Sequence, residues 1–276
     1  MEQRYATSPD QLPAFDTTAL RERFLAERIF VPGEVTAVYV HHDRIVLGGA
    51  VPAGGRLPLP AFDELRAEFF LANREIGIVN VGGTGAVTAD GETYTLPKGA
   101  CLYIGRGTRE VVFADAGHET GAQFYLFSAP AHTTYPTELV GKGEGNVRLL
   151  GDQLTSNRRT LNQYIHEKGI RSCQIVMGVT ELHPGSMWNT MPAHTHDRRT
   201  ECYLYFDVPQ DARVIHLLGE PTETRHLVVG DRQAVISPSW SVHSGVGTAA
   251  YSFVWAMAGE NQSFDDMDPA PVTMLR

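Results

Sequence analysis

The sequence predicts a mainly β protein built as two blocks of similar texture, with only a few short helices. Three observations carry this reading. Short apolar runs with period-2 alternation recur between Gly, Pro, Asn and Asp punctuation, helical periodicity is scarce, and a stretch weak in both periods separates the two blocks. Many evenly spaced short strands fit sandwiches or barrels better than a parallel sheet flanked by helices.

Taken in chain order, Asp16 is placed to cap a helix over "TTALRERFLAERIF", where Leu20, Phe24 and Ile29 mark an apolar stripe. A second helix is expected over "AFDELRAEFFLANRE" (61–75), from Phe62, Leu65, Phe69 and Ala72 at helical spacing. The rest of the first block reads as strands, in "VTAVYVHHDRIVLGGAV", "GIVNVGGTGAVTADGETYTL" and "ACLYIGRGTREVVFAD", with Asp90-Gly91 as a hairpin turn. Residues 128–165, rich in Pro, Gly, Ser, Thr and Asn, read as an inter-domain connection. From 173 to 259 the strand texture returns in "CQIVMGVTEL", "ECYLYFDV", "ARVIHLLG", "RHLVVG", "QAVIS" and "YSFVWAMAG". The expected division is a first β domain over 1–127, a connecting segment over 128–172 and a second β domain over 173–276.

Composition excludes several function classes. A chain of 276 residues with 42% hydrophobic and 20% charged residues can bury a sizeable core. A net charge of −9 argues against nucleic acid and against an anionic membrane surface. Cys101, Cys173 and Cys202 are odd in number and widely spaced, so they read as reduced thiols. No apolar run approaches the roughly 18 residues that span a bilayer, and the N-terminal stretch has no signal-peptide pattern. A cytoplasmic protein is expected.

The chemistry concentrates in "MPAHTHDRRTECYLYF" (191–206). On a strand, His194 and His196 stand at i and i+2 and project from one face, so both imidazoles can reach one ion. Glu201 has the wrong parity for a straight continuation, but the polar "DRR" can turn the chain and return it on a neighbouring strand. There Tyr203 and Tyr205 share the face of Glu201, while Cys202, Leu204 and Phe206 pack the other way. His243, in "QAVISPSWSVHSGVG", supplies a fourth ligand. Neutral imidazoles with a carboxylate suit zinc, iron, manganese, nickel or cobalt.

These two stretches resemble the paired signature motifs of the cupin superfamily, small β-barrels that hold a metal through His, His, Glu and His. The resemblance implies two cupin-like barrels (a bicupin). In the first block, "KGACLYIGRGTREV" has the texture of the His243 stretch, with Glu110 at the matching position and no H-x-H. Only the second barrel is expected to carry metal.

Across nearly the whole chain, "APAHTTYPT", "TSNRRT", "WNTMPAHTHDRRTE", "GEPTETRH" and "GENQSFDDMD" are similar to the 5-keto-4-deoxyuronate isomerases (4-deoxy-L-threo-5-hexosulose-uronate ketol-isomerases). That resemblance implies a Zn²⁺ ion per chain, a homo-oligomer such as a hexamer, and a cytoplasmic sugar-acid pathway of pectin and uronate breakdown. The implied reaction is conversion of 5-dehydro-4-deoxy-D-glucuronate to 3-deoxy-D-glycero-2,5-hexodiulosonate, with a small sugar acid as partner and neither nucleic acid nor membrane.

An aldose–ketose isomerisation needs a proton carrier between adjacent carbons, for which Tyr205, Tyr203 and Glu260 are the candidates. It also needs a cation for the substrate carboxylate, for which Arg199, Arg158 and Arg225 are the candidates. Gln262 is a further residue that can face the metal. His132 and Tyr135 fit either a pocket cap or a structural role, and adjacent His41 and His42 point to opposite faces and cannot chelate together. The alternatives are a 5-deoxyglucuronate isomerase of inositol catabolism, a metal-dependent cupin dioxygenase and a non-catalytic sugar-binding cupin.

Overall fold

Strict alternation along Arg199–Phe206 sends Glu201, Tyr203 and Tyr205 to one side of a sheet and Cys202, Leu204 and Phe206 to the other. Both sides are buried, because this strand lies inside a stack of four sheets. The computed structural model describes residues 1–116, 121–260 and 263–276.

The first half pairs a seven-stranded sheet with a four-stranded one. The large sheet runs Glu2–Arg4, Val35–Val40, Ile45–Ala50, Phe124–Pro130, Arg74–Asn80, Cys101–Ile104, Glu138–Val140. The small sheet runs Arg56–Pro58, Val111–Asp115, Gly85–Ala89, Glu92–Leu96. Asp90 and Gly91 both take positive φ (45° and 88°) and close the last two strands as a two-residue hairpin.

The second half repeats the order. Its large sheet runs Asn146–Leu150, Arg159–Ile165, Val176–Leu182, Ser252–Gly259, Arg199–Phe206, Gln233–Ser237, Leu25–Ala26. Its small sheet runs Trp188–Asn189, Ser244–Gly247, Val214–Glu220, Glu223–Val229. Among the described residues each half is a facing pair of sheets and not one closed sheet.

The two large sheets pack against each other. One buried cluster joins Val38, Leu47, Tyr103, Tyr125 and Phe127 of the first half to Met177, Cys202, Leu204, Ile236 and Val254 of the second. A core of this kind is held by apolar burial, at about 25 cal/mol per Å² removed from water. Polar clasps cross it. Glu75, fully buried, accepts hydrogen bonds from the backbone N–H groups of Cys173 (2.6 Å), Gln174 (2.7 Å) and Ile175 (3.1 Å), and from the Tyr103 hydroxyl (2.7 Å). Asp43 Oδ2 accepts from the backbone N and the hydroxyl of Thr200, the residue before Glu201.

The structure corrects two local expectations. The first helix is Thr17–Phe24, capped by Asp16 at Ala19 N (2.8 Å). It stops there because Leu25 and Ala26 pair with Val235 and Ala234 at the edge of the second large sheet. The helix expected over 61–75 is absent. Its place is taken by the 3-10 turns Asp63–Leu65 and Phe70–Ala72 and by the start of Arg74–Asn80. Burial of Phe70 and Leu71 in the first half and two-sided pairing of the strand outweigh helical spacing.

The domain limits also differ from those read in sequence. Leu12, Leu20, Phe24 and Leu25 sit in the core of the second half, although they precede the first. Residues 128–172 are no free connection: Glu138–Val140 edges the first large sheet, and Asn146–Leu150 and Arg159–Ile165 begin the second. A segment that precedes most of the first half in sequence is therefore lent to the second.

Candidate metal centre

Four elements bring four side chains to one point. Ala193–Thr195 pairs with Asp268–Ala270, which fixes His194 opposite Pro269. The chain then turns through Asp197 and Arg198, with Arg199 N donating to His196 O (3.2 Å). Arg199–Phe206 sets Glu201 between Ser237 and Met257. A turn closed by Ser241 N to Pro238 O (2.9 Å) delivers His243 just before Ser244–Gly247.

The Nε2 atoms of His194 and His196 are 3.2 Å apart, and those of His194 and His243 are 3.1 Å apart. Glu201 Oε2 lies 3.0 Å from His196 Nε2 and 2.8 Å from His243 Nε2. All four donor atoms fall within 4.8 Å of one another. Atoms held about 2.0–2.2 Å from a single ion stand roughly 3–3.5 Å apart, which matches these spacings.

The tautomers point the same way. His196 Nδ1 donates to the carbonyl oxygen of Asp266 at 2.5 Å, and His243 Nδ1 lies 3.4 Å from Ser241 O. A neutral imidazole that donates through Nδ1 presents a bare lone pair at Nε2. Lone pairs and a carboxylate converging on one point repel unless a cation lies between them. Burial, and next the neighbouring His243, push His194 down to about 2, which keeps it unprotonated. Burial alone would raise the Glu201 carboxyl, but His243 and His196 hold it well below the usual carboxylate range. The donor set thus fits a divalent ion of the zinc, iron or manganese type.

His196, Glu201 and His243 are buried, whereas His194 is half-buried at the mouth of a cavity of about 310 Å³. One wall is apolar, from Leu150, Leu161, Phe253, Trp255 and Met257. The segment after the last long strand closes another side with Phe264, Asp265 and Met267. Tyr203 also lines the cavity and hydrogen-bonds Thr190 Oγ1 at 2.9 Å. Burial, then the charge of Glu201, raise its hydroxyl well above the usual phenol range.

Several residues nominated from the sequence stand elsewhere. Tyr205 shares the face of Glu201 but is not on the cavity wall. It is fully buried and hydrogen-bonds His216 Nδ1 at 2.7 Å. Glu260 is exposed, pairs with Arg198 at 2.8 Å and lines a separate shallow recess. Arg199 is buried behind His196, where its Nη atoms donate to the carbonyls of Ser263, Phe264 and Asp266. Arg158 is exposed on the approach to its strand and does not line the cavity. Arg225 pairs with Glu223 at 2.6 Å on the small-sheet hairpin Val214–Glu220 and Glu223–Val229. Gln262 lies outside the described residues. Tyr135 stacks against the Arg171 guanidinium, and His132 is exposed; neither lines the cavity.

Sequence reasoning misses Arg148 and Asp265, and within "TSNRRT" it nominates Arg158 where its neighbour Arg159 is the one on the cavity wall with them. The alternation of "NVRLL" was the available signal for Arg148, and reading that region as a linker hid it.

The first half holds no comparable group among the described residues. Glu110 does stand just before Val111–Asp115, as His243 stands before Ser244–Gly247, but it is exposed. The interior positions of Arg74–Asn80 carry Ile76 and Ile78, packed in an apolar core.

Comparison with known proteins follows from this geometry. The chain is 68% identical over 279 aligned residues to a 4-deoxy-L-threo-5-hexosulose-uronate ketol-isomerase of Kineococcus radiotolerans, and 54% identical over 276 to that of Halalkalibacterium halodurans. All of each chain is covered in both cases. The KduI/IolB family matches residues 27–272.

The chain belongs to the KduI/IolB family. As a KduI/IolB protein it is an enzyme, an isomerase. Among solved structures it is similar to an iolb-like protein from Salmonella typhimurium, with a TM-score of 0.70 at 17% identity over 87% of this chain and 94% of that one. It also resembles oxalate decarboxylase OxdC of Bacillus subtilis, with a TM-score of 0.53 at 12% identity over 79% and 70% of the two chains. At such identities the likeness is one of fold. The KduI/IolB fold is thus mainly β and cupin-like.

Proposed function

We propose that this chain is a zinc-dependent aldose–ketose isomerase that interconverts 5-dehydro-4-deoxy-D-glucuronate and 3-deoxy-D-glycero-2,5-hexodiulosonate in uronate, and so pectin, degradation. The observation that carries this reading is the convergence of His194, His196, Glu201 and His243, the first three of which line a cavity sized for a single sugar acid. The names of the full-length relatives supply the substrate. We read the two sheet pairs as two cupin-like barrels with metal in the second, in a cytoplasmic homo-oligomer of which a hexamer is the simplest form.

The ion, when bound, supplies Lewis acidity toward the vicinal carbonyl and hydroxyl oxygens of the sugar. The chain's own residues do the rest. Asp265 is the carboxylate on the cavity wall outside the four-residue group; it takes the proton from C2 and returns it to C1, so that it ends the turnover as it began. Tyr203, whose raised hydroxyl keeps its proton, donates a hydrogen bond to an oxygen of the enediol. The apolar wall of Phe253, Trp255 and Met257 excludes water, which would otherwise exchange the migrating proton.

The deciding experiment measures metal by elemental analysis, and ketol-isomerase turnover, in the wild type and in His243→Ala. About one zinc per chain, with metal and turnover both lost in the variant, is the expected result. Iron with oxygen uptake would instead favour a dioxygenase. The shared family name keeps 5-deoxyglucuronate isomerisation as a second reading, and turnover of that sugar acid in preference to the deoxyketouronate would establish it.

A further inference from the structure

We propose that Arg159 and Arg148 form the subsite that receives the carboxylate end of the sugar acid. This rests on the substrate class proposed above and adds where the charged end lies.

Register places the two guanidinium groups together. Arg148 stands opposite Leu161, and Leu150 stands opposite Arg159, on adjacent antiparallel strands. Residues so paired share a face, and the two arginines are diagonal neighbours, about 7–8 Å apart along the backbone. That spacing lets two guanidiniums flank one carboxylate. The shared face is the cavity wall, which also carries Leu150 and Leu161.

Distance across the sheet suits a six-carbon chain. Arg159–Ile165 is separated from Arg199–Phe206 by Val176–Leu182 and Ser252–Gly259, which makes three strand spacings, about 14 Å. Glu201 and the histidines occupy one end of the cavity and the arginines the other. An extended arginine side chain and a hexuronate together bridge that gap, with the reacting carbons at the metal end.

Neither guanidinium is engaged by a carboxylate among the described residues. Arg159 donates one Nη1 bond to Asn157 O (2.8 Å). Its half-buried position already costs it solvation, since burial lowers its pKa, so a carboxylate ligand replaces lost water. In a chain of net charge −9, two arginines on a cavity wall with no carboxylate partner among the described residues are the local field that an anionic substrate requires. The arginines singled out by sequence lack this placement: Arg199 is committed to backbone carbonyls and Arg225 to Glu223.

The test uses the zinc-loaded full-length protein with the deoxyketouronate and with its neutral C6-amide. Arg159→Ala should raise KM for the uronate by roughly tenfold to a hundredfold, with zinc content retained and most of kcat kept. The wild-type preference for the acid over the amide should collapse, and Arg159→Lys should restore part of it. Arg148→Ala, on an exposed edge strand, should show a smaller shift of the same kind and decides the matter if Arg159→Ala does not fold. An unchanged KM and unchanged acid preference in folded, zinc-loaded variants would overturn the subsite while leaving the isomerase reading intact. A zinc-loaded wild type that turns over neither compound would overturn both.

Discussion

The Nδ1 of His196 lies 2.5 Å from the carbonyl oxygen of Asp266, seventy residues further along the chain. Arg199 Nη2 reaches the same carbonyl at 3.2 Å, and its Nη1 holds Ser263 O. One imidazole of the four-residue group is thus oriented by a backbone segment that is itself pinned by a buried arginine. Arg199→Met should therefore weaken metal binding by roughly ten- to a hundredfold while leaving all four ligands in place. Competition with a chromophoric chelator measures this. Unchanged affinity would show that the segment keeps its place without the guanidinium.

Tyr203 and Tyr205 make a contrasting pair. Tyr203→Phe should lower kcat at least about a hundredfold with metal content unchanged, since its hydroxyl faces the cavity. Tyr205→Phe removes the hydroxyl beside His216 and should cost about 1–3 kcal/mol of stability by leaving a buried polar atom alone. Kinetics and urea denaturation of both variants separate the roles.

Asp265→Asn should abolish most turnover without loss of zinc. The clearest readout is transfer of deuterium from C2-deuterated substrate to C1 of the product, followed by NMR. Transfer that survives in the variant would take the proton away from Asp265.

His216 gives the metal-free protein a pH dependence. Burial, and then His243, push it from an ordinary 6.5 down to about 3. Between those values the unfolded chain binds a proton that the folded chain refuses, so stability falls as pH drops below 6.5. From pH 6.5 to pH 5 this amounts to at most about 2 kcal/mol. Denaturation midpoints of the chelator-treated protein should show the slope, and His216→Gln should remove its share while leaving that of the similarly depressed His194.

Much of the site is legible because its spacing is local. His194 and His196 at i and i+2, the turn at Asp197 and Arg198, and the shared face of Glu201, Tyr203 and Tyr205 all follow from the two-residue repeat of a strand. Depth is not in that repeat. Tyr203 and Tyr205 point the same way, yet one meets the cavity and the other meets His216, because the small sheet covers only part of the strand's length. The arginines escape for another reason. Arg148 and Arg159 sit among turn-forming residues, and only pairing with Val176–Leu182 reveals that segment as sheet. Likewise, Phe62, Leu65 and Phe69 carry helical spacing, but the cores they meet are those of a strand-and-turn path.

The clasps at Glu75 and Asp43 bear on how such a protein can evolve. Thr200, next to Glu201, is gripped by Asp43 of the half that shows no such four-residue group among the described residues, and Leu25–Ala26, which precedes most of that half in sequence, completes the sheet of the half that has one. The first half is consequently not dispensable to the site in the second. Losing it would strip the Glu201 strand of its backing, so selection on the chemistry of one half also preserves the sequence of the other. A shortened descendant carrying only residues 146–276 would need a new partner surface before it could keep the four side chains in register.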